Sequence, residues 1–75
     1  MSDVAPMQPN EIFDLIVKAD EKLKYATSGR DDARAAQARA LLERARDAAR
    51  AIGNDALIGQ AETRLGDLDG SIGEN

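Results

Sequence analysis

Cysteine, histidine and tryptophan are absent from this 75-residue chain, and each absence closes a class of chemistry. Without Cys there is no disulfide framework, no thiolate nucleophile and no Cys-ligated zinc. Without His there is no imidazole to carry protons near neutral pH or to complete a triad. Aromatics amount to one Phe and one Tyr, which leaves little to build a base-stacking platform for nucleic acid. No apolar run approaches the roughly 20 residues that cross a bilayer. The opening from Met1 to Asn10 has neither a basic n-region nor an apolar h-region, so no secretory signal is expected. The chain is accordingly placed in the cytoplasm, with which the lack of Cys is compatible.

What is present describes one small acidic domain. Fourteen Asp and Glu stand against ten Lys and Arg, a net charge of -4, which disfavours adsorption to anionic lipid. Hydrophobic residues make up 43%, but fourteen of them are Ala. Only eighteen larger apolar side chains remain, so the core must be thin.

Three segments carry helical periodicity. In the first, Pro9 or Asn10 opens the helix, and Glu11 and Asp14 sit where acidic groups favour the positive end of the helix dipole. Ile12, Ile16, Ala19, Leu23 and Ala26 form one stripe, widened by Leu15. Thr27, Ser28, Gly29 and Arg30 supply a stop. Asp31 or Asp32 caps the second segment, rich in the strong helix formers Ala, Leu and Arg. Its stripe is Ala38, Leu42, Ala45, Ala49 and Ile52, flanked by Leu41 and Ala48, and its alanines allow close approach of a neighbouring helix. Gly53 ends it. Asn54 or Asp55 caps a third helix bearing Leu57, Ile58, Ala61, Leu65 and Leu68; Gly59 inside it suggests that the second helix presses close to the backbone there. The expectation is an all-α fold, an antiparallel hairpin plus a third packing helix, with helices at about 10–27, 32–52 and 55–67. Residues 1–9 and 69–75 are expected to be disordered, leaving a domain over residues 10–68.

Several constellations invite chemistry and meet a plainer explanation. Ser2, Ser28 and Ser71 fall in tails or a loop with no His or Cys to activate them, and three thin helices offer little concave interior, so no catalytic residue, cofactor or metal is assigned. The ending from Asp67 onward starts like a calcium loop. However, Ile72 stands at the sixth position, where a glycine makes the sharp turn, and the chain has ended before the twelfth-position glutamate. Arg39, Arg46 and Arg50 line one side of the second helix, but Glu43 and Asp47 are spaced to pair with the arginines there. A solvated, salt-bridged face is the default, and nucleic acid is disfavoured as a partner.

The most informative anomaly is on the first helix. Phe13 and Val17 lie about 100 to 140 degrees from its core stripe, alongside Asp20 and Lys24. They either cover the third helix, giving the first a broad buried face, or form an exposed anchor rimmed by Asp20 and Lys24 for a protein or peptide partner, or for a second copy of the chain. Tyr25 points away from the core stripe and is a secondary surface aromatic.

Ile58-Gly59-Gln60-Ala61 followed by Leu65-Gly66-Asp67-Leu68 resembles the first helix of a tetratricopeptide repeat, and Ala38, Leu42 and Ala45 match the small-large-small spacing of that repeat's second helix. The resemblance spans roughly residues 11 to 68, about one and a half repeats, and departs from the pattern at Asp55 and Glu62, where the repeat places aromatics. It implies a non-catalytic scaffold that binds a protein or peptide. The competing description is a generic three-helix bundle.

Overall fold

The computed structural model describes residues 6–26 and 32–73. Helix α1 spans Pro9–Ala26, α2 Asp32–Ala51 and α3 Asp55–Gly73, with no strand among the described residues. The fold is all-α and three-helical, as the periodicity requires.

The starts of α1 and α3 each have their own hydrogen-bond solution. Pro9 is the first residue of α1, where a missing N–H costs nothing because that group has no intrahelical acceptor. Gln8 caps it: its carbonyl accepts from the N–H groups of Glu11 and Ile12 at 2.9 and 3.0 Å, and its own N–H donates to Glu11 Oε1 at 2.8 Å. That is the carboxylate half of a capping box. Met7, one residue before the cap, packs against the core that contains Ile12, the positions of a hydrophobic staple. The N-terminal segment is therefore ordered further out than expected: Met7 and Gln8 are held at this cap, while residues 1–5 lie outside the described residues.

Between α2 and α3 the turnaround takes three residues, Ile52, Gly53 and Asn54. Gly53 adopts φ 69, the left-handed region where a side chain would be strained. Its N–H donates to Arg50 O at 3.1 Å and the Asn54 N–H donates to Ala49 O at 2.9 Å, the paired bonds of a Schellman ending. Asn54 then turns to the next helix, its Oδ1 accepting from the Leu57 N–H at 3.1 Å, as an N-cap does. The stop expected at residues 27–30 and a cap at Asp31 lie outside the described residues.

Helix α2 is the shared wall. Both α1 and α3 pack along it, and they touch each other only sparingly. Ile12, Leu15, Ile16 and Ala19 of α1 meet Ala38, Leu42, Ala45 and Ala49 of α2, and Leu57, Ala61 and Leu65 of α3 complete the cluster. Every one of these positions is on the stripe read from the sequence. Ile12, Ile16 and Leu42 are the largest fully enclosed side chains, and no polar or charged side chain is buried among the described residues. The body measures 43 × 21 × 19 Å, so across its short axes it is about two helix diameters of roughly 10 Å. That width fits packed helices.

Two expectations are corrected. Helix α3 continues to Gly73, past the end near residue 67 and into the tail expected to be disordered over 69–75; residues 74 and 75 lie outside the described residues. Extending an existing helix adds one hydrogen bond per residue with no new nucleation cost, and this outweighs the local glycines. The second concerns Gly59, which is exposed and whose missing Cβ would have met nothing within 4 Å. No close approach of α2 explains it.

Candidate protein-interaction face

Phe13, Val17, Asp20 and Lys24 follow one another at intervals of four, three and four residues, which sets them in a single row along α1. The row is about 100 to 140 degrees from the buried stripe, on the side of α1 from which Asp20 reaches α3. Phe13 remains 48% exposed and is the exposed large hydrophobic residue among the described ones. Val17, one turn on, is half-buried, and Lys24 is exposed. The reading in which α3 covers Phe13 is therefore corrected, while the half-buried Val17 leaves the next turn of the row partly enclosed; α1 and α3 touch only sparingly.

Asp20 has a different role from the free rim charge expected of it. Its Oδ1 accepts a hydrogen bond from Arg64 Nε of α3 at 2.8 Å, while Arg64 Nη1 donates to the Gln60 carbonyl at 3.1 Å. The guanidinium is thus fixed to its own helix and reaches across to α1. Arg64 was not picked out from the sequence, and no signal there could have done so, because its partner is 44 positions away. Tyr25 belongs to α1 by its backbone, but its side chain lies outside the described part.

This chain matches no family model, no curated protein and no solved structure.

The arginine row of α2 is largely drawn into ion pairs. Arg46 Nε lies 3.1 Å from Asp47 Oδ1, and Arg50 Nη2 reaches Glu62 Oε2 of α3 at 2.8 Å. Arg50 therefore bridges helices instead of pairing with Asp47 as its spacing suggested. The calcium-like stretch from Asp67 runs as helix through Gly73, not as a loop. Among the described residues no cluster of three or more acidic side chains is placed to hold a metal ion, and no helix is long and apolar enough to cross a membrane.

Proposed function

We propose that this chain is a non-catalytic, cytoplasmic interaction module that presents the Phe13–Val17 face of α1 to a protein or peptide partner. The observation that carries this reading is the exposure of Phe13, 48%, in a chain with so few bulky apolar groups that leaving one in water forgoes a sizeable part of the available burial. Fully burying such a side chain is worth about 1.5–3 kcal/mol, and aromatic anchors of this kind dominate binding energy at interfaces. The half-buried Val17 extends the apolar contact, and Lys24 supplies a charge at its edge that selects the sign of the partner. The Asp20–Arg64 bridge fastens α1 to α3 before binding, so less ordering entropy is lost when the partner arrives.

The tetratricopeptide-like arrangement belongs to the same proposal. It is supported by the placement of α2 against both neighbours through small residues at 38, 45 and 49, the way stacked helical repeats share a middle helix.

The test is Phe13→Ser. Affinity capture with the unmodified chain should retain a partner that the variant loses, while far-UV circular dichroism of the two remains the same. Identical capture by both proteins would sink the reading, and a collapse of helicity in the variant would assign Phe13 to the core instead.

A further inference from the structure

On the opposite side of α1, roughly 160 degrees around from Phe13 at 100 degrees per residue, α1 and α2 leave two depressions at successive turns of α1, the two ends of one strip of surface to which α3 contributes no side chain. One end is lined by Met7, Leu15, Glu11, Asp14 and Arg44. The other is lined by Leu41, Lys18, Lys22, Arg34 and Glu21. The first end thus holds two acids and one base, and the second three bases and one acid. From Glu11 to Lys22 the pattern extends about 16 Å along the helix at 1.5 Å per residue.

We propose that this strip is the interface of a two-fold antiparallel homodimer, in which the acidic end of each copy lies against the basic end of the other. A two-fold axis running across the helices turns the strip end for end and sets α1 against its own copy. Glu11 and Asp14 then oppose Lys22 and Lys18 of the second copy. The same operation sets α2 against its own copy, so Arg44 turns towards the Arg34 end of the second copy, and the attraction is carried by the α1 charges. A parallel arrangement would set like ends together and is repulsive. The floor of the strip is apolar: Leu15 is 8% exposed, and Met7 and Leu41 are half-buried against the core. Lys22 is half-buried with no ion pair among the described residues. Lys18 pairs with Asp14 of its own helix at 3.1 Å with both side chains 58% exposed, a pair weak enough to be exchanged for contacts across the interface. The net charge of -4 on each copy opposes approach at long range, so the end-to-end matching shows best where that repulsion is screened and contact pairs are not. The Phe13 face is left free, and the dimer carries two of them, which raises avidity for a multivalent partner. This inference does not rest on the Phe13 reading.

Sedimentation equilibrium of the full chain at concentrations up to about 1 mM tests it. At about 0.1 M salt, where the Debye length is about 10 Å, the mass should be that of two chains, and at about 1 M it should fall toward one, with dissociation at least tenfold stronger. Lys18→Glu with Lys22→Glu makes both ends acidic, and Asp14→Lys makes both ends basic. Each variant alone should sediment as one chain, and an equimolar mixture should recover the mass of two, because only the mixed pair is complementary at both ends. Phe13→Ser should leave the assembly unchanged. The proposal is overturned by a one-chain mass for the unmodified protein at 0.1 M, by a dimer indifferent to salt, by failure of the two helical variants to pair when mixed, or by loss of the dimer in Phe13→Ser. The salt series on the unmodified chain decides the matter even where a variant fails to fold.

Discussion

Replacing Gly59 and Gly66 by Ala should stabilise this protein, while the same change at Gly53 should destabilise it. All three would-be Cβ atoms have open space, with nothing within 4 Å, so crowding plays no part and the backbone alone sets the sign. Gly59 and Gly66 are interior residues of α3 on its exposed side. Glycine there costs about 0.5–1 kcal/mol relative to Ala, mainly through the freedom it retains in the unfolded chain. Seven residues separate them, about 10 Å of helix rise, far enough for the effects to add. The double variant should gain about 1–2 kcal/mol, and at about 4–8 °C per kcal/mol for a domain of this size its midpoint should rise roughly 4–16 °C. Gly53, at φ 69, faces the left-handed penalty of about 1–2 kcal/mol with Ala in its place. Thermal melts followed at 222 nm, with urea melts to check that the slope is unchanged, read all three. A neutral or negative result at Gly59 and Gly66 would mean that the outer side of α3 is covered by something, or that it is not helical there. A gain at Gly53 would refute the Schellman ending.

Other outcomes follow from the same packing. Leu42 is fully enclosed at the meeting of the three helices, so Leu42→Ala should cost about 2–5 kcal/mol, measured by urea denaturation, and Leu42→Asp should abolish the cooperative melt. Asn54→Ala removes the cap on the Leu57 N–H and should cost about 1 kcal/mol, whereas Asn54→Gly should cost only a few tenths. A double-mutant cycle on Asp20 and Arg64, whose side chains are 46% and 30% exposed, should give a coupling of about 0.2–1 kcal/mol that shrinks at high salt; a coupling indifferent to salt would show that the bridge is dry.

The enclosed stripes of all three helices were legible because burial in a helix repeats every 3.6 residues, and a thin core leaves few alternative assignments for eleven positions from Ile12 to Leu65. The α2 to α3 turn was legible because Gly53 and Asn54 each bring a specific backbone chemistry. The environment of Phe13 was not. Periodicity gives the angle at which a side chain leaves its helix, but not whether another helix stands in its way, and that depends on how far the small residues of α2 let each neighbour approach. The Arg64 bridge was hidden for a related reason, since its partner becomes a neighbour only after both helices have docked on α2. The extension of α3 past Leu68 ran against a local tendency of glycine that helix continuation overrides.

The joint at Gly53 and Asn54 has a mechanical consequence. One residue finishes α2 and the next both completes that ending and begins α3, so there is no slack between the two rods and the direction of the second is inherited from the first. Inserting even a single residue there would break both sets of bonds at once and uncouple α3 from the rest of the body. A tag or fusion partner should therefore never be spliced into this corner, however exposed it looks from outside.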